Sequence, residues 1–334
     1  MNRQFRFYLK ADQSPTHFNL SRYLQEQGWQ ESPSQELADF SDANLQFNTQ
    51  AAEQLEYKHL LAQLVDKYCH DVMPLTYCIN DENWLQVLNQ LASEYYYQNQ
   101  QLLNQIPNLS WILKPALLNN GKEIKIFQKL SEIERHFLST KRLGGEHVLQ
   151  YYLSPHLLRD GRKYSIRMFV VLTNYAGCFI YPNGYYNVAL HPFMANDYSD
   201  LRSHLTNEHL RDEESNVIQI PSKRFENFPP IYAQIKELSQ AAVSALAQKN
   251  PQAFIPEKER NFAIYGFDFI VDSSGRLWLL EANHGPCFPV SDDHPLQAYL
   301  YSVFWQDFIK GFVQPIAANQ SVDSINYLPF ERLY

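Results

Sequence analysis

Cysteine and glycine are scarce in this chain of 334 residues, and their scarcity excludes two classes of protein. The four cysteines include no C-x-x-C pair and no zinc spacing, and they are too few for a disulfide scaffold. We therefore expect buried, reduced thiols. With only 11 glycines, the chain is neither a fibrous protein nor a linker-rich one.

The chain also lacks a long apolar run and an excess of basic residues. No segment approaches the about 18 apolar residues of a membrane helix, and the N-terminal stretch has no apolar core typical of a signal peptide. Acidic residues outnumber basic ones by 36 to 28, which argues against a nucleic-acid partner. We expect a cytoplasmic protein that binds neither nucleic acid nor membrane.

Apolar residues make up 45% of the chain, an ordinary globular share, and they follow strand and helix periodicities. A strand followed by a helix predicts a small N-terminal α/β lobe over residues 1–56. Residues 57–153 and 154–334 predict two larger domains, the second rich in long antiparallel strands. The fold class that follows is α+β.

Three local predictions accompany this pattern. Residues 53–69 carry apolar side chains at helical spacing and predict one helix. Asp81 is the predicted N-cap of the next helix, because its carboxylate can accept a backbone N–H. Residues 182–184, Pro-Asn-Gly, predict a turn between two antiparallel strands.

Residues 261–288 predict a hairpin in which polar side chains interrupt two apolar runs. Asp268 lies in the first run, and Glu281 and Asn283 end the second. Side chains alternate along a strand, so Glu281 and Asn283 share a face. An even-numbered turn places Asp268 opposite Leu279 and diagonally beside Glu281. Two carboxylates and an amide suit Mg²⁺, a hard cation with oxygen ligands, although a salt-bridged structural pair is an alternative.

Several basic residues are candidates for binding phosphate. Lys114 ends the apolar strand WILKP, and Lys58 lies on the amphipathic helix before it. Lys163 precedes Arg167 in the stretch GRKYSIRMFVV. Taken singly, each lysine is better explained as a solvated side chain whose stem lies along apolar surface. The stretch VLQYYL, around Tyr151, is a strand whose backbone can pair with an adenine edge.

Five blocks of the sequence, in this order, resemble the tubulin–tyrosine ligase family, including its polyglutamylase and polyglycylase branches. The blocks are WILKP at 111–115, QYYL at 150–153, RKYSIR at 162–167, HLTN at 204–207 and GFDF…WLLEAN at 266–283. The resemblance covers residues 55–288. It implies the ATP-grasp fold, and it implies ATP and Mg²⁺ as cofactors.

The resemblance also implies a role for each candidate residue. The nucleotide would be bound by Lys58, Lys114, Gln150, Tyr151, Leu153, Lys163, His204, Thr206 and Asn207. Of these, Lys163 and Asn207 would also act in catalysis, together with Arg167, which faces the acyl group. The Mg²⁺ ligands would be Asp268, Glu281 and Asn283. Tyr151 replaces the family's usual lysine in the adenine hinge, where a backbone contact would survive the change.

Two positions depart from the family pattern. Ser165 stands where the family has an aspartate. Asn187 stands where the family has an arginine that helps to hold the acceptor or the acyl group. These departures leave the nucleotide site intact but argue against recognition of tubulin tails. The negative net charge points the same way, because acidic tails prefer basic grooves.

The activity that the resemblance implies is ATP-dependent ligation of a free amino acid to a protein or peptide acceptor through an acylphosphate. One alternative is an ATP-grasp ligase that builds a small metabolite in a closed pocket. Another is a catalytically inactive nucleotide-binding module, for which Ser165 and Asn187 leave room. The sequence names neither the acceptor nor the amino acid, and Glu, Gly and Tyr remain open.

Overall fold

The computed structural model of the protein describes residues 4–101, 110–195, 197–210, 215–256 and 259–334. Within these ranges the chain forms three sheets with helices packed against them, so the predicted mixture of helix and sheet is confirmed. Among the described helices, none combines the length and apolarity that a membrane span requires. The four cysteines are free, as predicted, but only Cys178 is buried; Cys69 and Cys78 are half-buried and Cys287 is exposed.

The N-terminal residues form a small parallel sheet covered by one helix. Its strands are β1 (Arg6–Tyr8), β2 (Gln30–Glu31) and β3 (Phe40–Ser41). Strand β1 lies between the other two and pairs with both in parallel. Helix α1 (Pro15–Glu26) begins where the Ser14 side chain accepts the backbone N–H of His17. Proline suits the first helical position, where no N–H is needed.

The helix predicted over 53–69 is in fact two helices. They are α2 (Thr49–Glu56) and α3 (Lys58–Tyr68). The chain is extended at Tyr57, where φ is −82° and ψ is 118°, so the first helix ends there and the second begins. Helical spacing of apolar residues persists across the break, which is why the sequence pattern does not show it. The break places Lys58 at the first position of α3.

Four antiparallel strands form the middle sheet. They are β4 (Thr76–Ile79), β5 (Trp111–Pro115), β6 (Lys125–Phe127) and β7 (His147–Tyr151). Their order is β4-β7-β5-β6. Helices α4 (Trp84–Gln101) and α5 (Leu130–Leu138) pack on one face, against Leu113 and Leu149. Alternation along β5 and β7 therefore turns Lys114 and Gln150 to the opposite face.

The largest sheet is also antiparallel. Its strands are β8 (Arg162–Thr173), β9 (Gly177–Pro192), β10 (Val217–Pro221), β11 (Phe262–Val271), β12 (Leu277–His284) and β13 (Glu331–Arg332). They are ordered β10-β9-β8-β11-β12, and β13 pairs with β9. Helices α2, α3 and α6 (Phe228–Lys249) pack with one face of this sheet in the main apolar core.

The opposite face of the largest sheet is divided between an apolar core and a cavity. Phe169 and Val171 of β8 pack there against the N-terminal lobe and an aromatic helical run. This run starts at Gln297, contains α7 (Ser302–Phe308) and α8 (Gln314–Ala317), and includes two π-helical segments. On the same face of β8, but nearer the start of the strand, every second residue lines the cavity instead. These residues are Lys163, Ser165 and Arg167.

The hairpin of β11 and β12 has a different register from the predicted one. Asp268 pairs directly with Glu281, and it is Phe269 that lies opposite Leu279. The turn of residues 272–276 is odd-numbered, and Leu280 is an extra residue in a β-bulge. Without the bulge, Asp268 would face Leu280 and would point away from the side of Glu281. The bulge therefore brings both carboxylates to one face.

Two other local predictions are wrong. Residues 182–184 lie inside β9 and do not form a turn. Gly184 pairs with Met168 and Ile180 with Val170, so residues 181–183 form a bulge opposite Phe169. Asp81 lies before a helix that begins at Trp84. Its carboxylate accepts the backbone N–H of Gly145 at 2.8 Å and pairs with Arg142.

Candidate functional site

The candidate residues from all five sequence blocks line one cavity of about 290 Å³. It lies between the middle sheet and the largest sheet. Strands β5 and β7 contribute side chains from one side, and β8, β11 and β12 contribute side chains from the other. Residues 204–207, between β9 and β10, and Lys58 of α3 complete the set. The structure thus brings every candidate residue to one place, while their individual roles stay predictions.

Two carboxylates and an amide meet at one end of the cavity. The Asn283 Nδ2 donates to Asp268 Oδ2 at 3.0 Å and to Glu281 Oε1 at 3.2 Å. Each carboxylate also has its own cation. Arg167 binds Asp268 through two nitrogens at 2.5 and 2.6 Å, and the Lys58 Nζ lies 3.6 Å from Glu281 Oε2.

The residues of this cluster fit a hard divalent cation. The Asn283 Nδ2 already lies between the two carboxylates as a hydrogen-bond donor, and a turned amide would present its oxygen there instead. The ligand set would then be all oxygen, as Mg²⁺ prefers. No group of three His, Cys, Asp or Glu side chains among the described residues is arranged to hold a metal ion; in this cluster the third member is an amide.

The pKa values of the two carboxyl groups are shifted in opposite directions, although both groups are buried. Burial raises the pKa of Asp268 to about 6, although Arg167 opposes the rise. Burial also acts on Glu281, but Lys58 and Lys114 outweigh it and lower the pKa of that carboxyl to about 2. Both groups are therefore ionised at pH 7, as ligands of a cation must be.

Lys114 and Lys163 are buried, and neither forms a close ion pair with a carboxylate among the described residues, although the charge of Glu281 acts on Lys114. The Lys114 Nζ donates to Gln150 Oε1 at 2.8 Å. Lys163 donates to the carbonyl oxygen of His204 at 2.6 Å and to the hydroxyl of Tyr152 at 3.2 Å. Burial lowers the pKa of Lys114 to about 8 and that of Lys163 to about 7. An anion in the cavity would restore their full charge.

His204 is fully buried, and both of its ring nitrogens are engaged inside the protein. Nε2 donates to the Asp197 carbonyl oxygen at 2.7 Å, which leaves Nδ1 to accept the Tyr152 hydroxyl at 2.8 Å. Burial lowers the pKa of His204, in keeping with this neutral ring. Through its carbonyl and through Tyr152, His204 holds Lys163, and its predicted contact with nucleotide stays a prediction.

The predicted adenine hinge lies where β7 leaves the middle sheet. The Tyr151 N–H donates to the carbonyl oxygen of Leu75 at 2.8 Å, and the Tyr152 N–H donates to that of Ser110 at 2.8 Å. Within the described part of the chain, no acceptor faces the N–H of Leu153. Leu153 itself lines the cavity, and its contact with adenine stays a prediction.

Residues 204–207 form one wall of the cavity. The Thr206 hydroxyl donates to Ser165 Oγ at 2.8 Å, which ties this wall to β8. Asn207 lies beside the loop after β5, since a Cβ added to Gly121 would be 3.6 Å from its Oδ1. Both side chains line the cavity, as predicted from their block. Their contacts with the nucleotide stay predictions.

Sequence reasoning missed two residues that support the site. A Cβ added to Gly266 would lie 2.7 Å from the Cδ of Arg167, so the guanidinium crosses β11 where no side chain stands. Tyr152 holds both Lys163 and His204. Gly266 opens the GFDF block and Tyr152 lies within QYYL, so each motif contained the signal. The structure was needed to show which side chain it positions.

The sequence model of the Tubulin-tyrosine ligase family matches residues 41–322. The chain belongs to this family. The resemblance of the five blocks is thereby confirmed, and the match extends it on both sides.

Similar proteins carry related names. The chain is 28% identical over 220 residues to Tubulin glycylase 3C of Tetrahymena thermophila, covering 60% of this chain and 20% of that protein. It is 24% identical over 236 residues to Probable tubulin polyglutamylase ttll-9 of Caenorhabditis elegans, covering 66% and 56%. It is 26% identical over 317 residues to Probable tubulin--tyrosine ligase PBY1 of Saccharomyces cerevisiae, covering 78% and 41%. The chain therefore matches between a fifth and just over half of these relatives.

Proposed function

We propose that the chain is an ATP-dependent amino-acid ligase of the ATP-grasp fold. It would join a free amino acid to a protein or peptide acceptor through an amide or isopeptide bond, in the cytoplasm. One observation carries the proposal. Two buried lysines that form no close ion pair among the described residues share a cavity with a cluster of two carboxylates and an amide. Membership of the family and the names of its relatives support the same reaction class.

Different residues of the cavity would bind different parts of Mg-ATP. Lys114 and Lys163 would hold the phosphates of ATP, because both are buried donors whose charge an anion restores. The hinge around Leu153 would receive the adenine edge. The cluster around Asp268 would hold Mg²⁺, which when bound neutralises phosphate charge. Phosphoryl transfer depends mainly on such positioning and neutralisation.

Arg167 would orient the reacting carboxylate. That carboxylate takes the terminal phosphoryl group, and ADP leaves with the electron pair of the broken P–O bond. The amine nitrogen then attacks the acyl carbon, so a C–N bond forms and the C–O bond to phosphate breaks. Inorganic phosphate leaves, and the nitrogen loses its extra proton to solvent. The guanidinium, fixed on Asp268, presents its remaining N–H to the acylphosphate oxygen.

The experiment that tests the proposal is incorporation of labelled amino acid with Mg-ATP. Labelled Glu, Gly and Tyr would be supplied separately, with tubulin and whole-cell protein as acceptors. We expect incorporation of one amino acid, accompanied by ADP. The variant Glu281→Gln should remain folded and lose turnover, because one ligand charge of the metal cluster is removed.

Each other outcome has a definite meaning. Full turnover in folded Glu281→Gln would remove this residue from the metal site. ADP formation that depends on a small acid and an amine, without labelled protein, would favour a ligase of small metabolites. ATP binding without any turnover would favour an inactive nucleotide-binding module.

A further inference from the structure

Residues 204–208, between β9 and β10, follow strand β8 along the cavity. The carbonyl oxygen of His204 accepts from the Lys163 Nζ at 2.6 Å. Two residues further along both segments, the Thr206 hydroxyl donates to Ser165 Oγ at 2.8 Å. Equal steps along the two segments therefore bring matching residues together on the cavity face of β8.

The next step of two residues brings Glu208 to the level of Arg167. Glu208 lines the cavity, and so does Tyr185, the register partner of Arg167 on β9. Burial raises the pKa of the Tyr185 hydroxyl, Arg167 lowers it, and the charge of Glu208 contributes to the rise. Arg167 and Glu208 therefore lie within electrostatic reach of one hydroxyl in the cavity wall.

The backbone at Glu208 is held, while its side chain is accessible. The N–H of buried Asn216 donates to the carbonyl oxygen of Glu208 at 2.7 Å, and its Nδ2 donates to that of Leu205 at 2.8 Å. The Glu208 side chain is 44% exposed and lines the cavity, so it lies at the opening. A ligand that enters the cavity can reach this carboxylate.

Glu208 differs in its charge partners from the other carboxylates of the cavity. The two carboxylates of the metal cluster each have a cation, and Lys58 acts on Glu56. Glu208 pairs with the exposed His209, at 3.8 Å between Oε1 and Nε2, and with no lysine or arginine among the described residues. Burial lowers the pKa of nearby His294, which Glu208 opposes. Because bound ATP would add negative charge, the position suits a cation supplied by the second substrate.

We propose that Glu208 binds the ammonium group of the amino-acid substrate and takes the proton that this group loses before it attacks. This inference rests on the proposed ligase function. An ammonium has no lone pair, so one N–H bond breaks, its electron pair stays on nitrogen and its proton passes to the Glu208 carboxylate. The pair then forms the C–N bond at the acyl carbon oriented by Arg167, and the C–O bond to phosphate breaks. The nitrogen loses its second proton to solvent after the attack.

The test compares a charged and an uncharged nucleophile in one variant. Glu208→Gln keeps the size of the side chain and removes its charge. The charged nucleophile is whichever of labelled Glu, Gly and Tyr the incorporation assay identifies, with the same acceptor. The other is hydroxylamine, which is uncharged near neutral pH and converts an acylphosphate into a hydroxamate without an amino acid.

We expect Glu208→Gln to raise the KM for the amino acid about 10- to 100-fold, the effect of one lost charge-assisted hydrogen bond. Its kcat with the amino acid should fall about 100-fold, the contribution of a positioned base. The KM for ATP and the rate of hydroxamate formation should stay unchanged, because neither needs a bound ammonium. Glu208→Asp, which keeps the charge, should lie between the parent and Glu208→Gln.

His209→Gln is the matched control, because it removes the ion-pair partner of Glu208 at an exposed neighbouring position. It should leave the KM values for amino acid and ATP unchanged. A loss equal to that of Glu208→Gln would show that the ion pair orders the loop, and it would overturn the inference. So would an unchanged KM for the amino acid in folded Glu208→Gln, or equal losses with the amino acid and hydroxylamine. If the parent forms neither product, the ligase function itself is refuted, and this inference with it.

Discussion

At the scale of single residues, the site depends on a side chain that is missing. Gly266 of β11 has no side chain, and the Arg167 side chain crosses the strand there, 2.7 Å from where a Cβ would stand. An added Cβ would also come within 2.9 Å of Arg167 Nη1. Contacts this short force the guanidinium to move. The geometry of the Arg167–Asp268 pair therefore requires a residue without a side chain at position 266.

Gly266→Ala is expected to displace Arg167 and to reduce turnover by about 100-fold, the scale of one lost preorganised donor. Steady-state kinetics with saturating ATP would measure the loss. Gly311→Ala is the matched control, because its Cβ would meet atoms no closer than 3.7 Å, an ordinary contact. Equal activity of the two variants would show that Arg167 does not need its present position.

The two buried lysines give nucleotide binding a pH dependence. Their pKa values, about 7 for Lys163 and about 8 for Lys114, rise when a phosphate lies beside them. ATP binding at about pH 8.5 should therefore take up protons, and the affinity should fall as the pH rises further. Calorimetry in two buffers of different ionisation enthalpy measures the uptake. Identical heats in both buffers would contradict it, and Lys163→Met should reduce it.

The same shifts set the sign of their effect on folding. Both pKa values lie below the unfolded value of about 10.4, so the native state binds fewer protons than the unfolded state between about pH 7 and 10. The nucleotide-free fold therefore gains stability from these groups as the pH rises through that window. Below about pH 7 both states carry the charge and the gain is absent.

At the scale of elements, the hairpin of β11 and β12 decides whether the metal cluster exists. Its turn is fixed by Asp272, whose Oδ1 accepts the backbone N–H groups of Ser274 and Arg276. Its Oδ2 accepts the Trp278 indole N–H at 2.8 Å. The turn and the bulge at Leu280 together set the pairing of Asp268 with Glu281.

Asp272→Ala is expected to lower the free energy of unfolding by about 1–3 kcal/mol, because two backbone N–H groups and the half-buried Trp278 indole N–H lose their carboxylate acceptor. Looser register should also weaken Mg-ATP binding. Chemical denaturation and calorimetry would measure the two effects. Ser273→Ala, an exposed change in the same turn, is the control and should alter neither. Unchanged binding in destabilised Asp272→Ala would separate the turn from the site.

Sequence reasoning found the polar residues of this hairpin but not their register. Alternation correctly put Glu281 and Asn283 on one face, because that follows from strand geometry alone. The bulge at Leu280 leaves no periodic signal, so Asp268 was paired with the wrong residue. Residues 182–184 show the reverse error. Their turn-forming composition is local, while the sheet that keeps them inside β9 is a tertiary effect.

At the scale of the whole molecule, composition and periodicity were sufficient for the fold class, and five ordered blocks were sufficient for the family. What they did not supply is the support around each motif. Lys163 was found from its block, but the carbonyl of His204 and the hydroxyl of Tyr152 that hold it come from other strands and loops. Such contacts depend on the packed sheets.

The fold as a whole should not depend on Mg²⁺. Each carboxylate of the cluster already has a cation, Arg167 for Asp268 and Lys58 for Glu281, so burial is balanced without a metal. We expect a chelator to leave the Tm of the nucleotide-free protein unchanged. Mg-ATP should raise the Tm by a few degrees through binding to the native state. A large loss of Tm on chelation alone would assign the metal a structural role.

One face of strand β8 contributes to both the apolar core and the cavity. Phe169 and Val171 pack in the core, and Lys163, Ser165 and Arg167 line the cavity. Insertion or deletion of one residue within it would exchange the two faces of the strand beyond that point and disrupt core and site together. Point substitutions at the cavity positions of β8 keep the register of the strand, so they can alter the site while leaving the core in place.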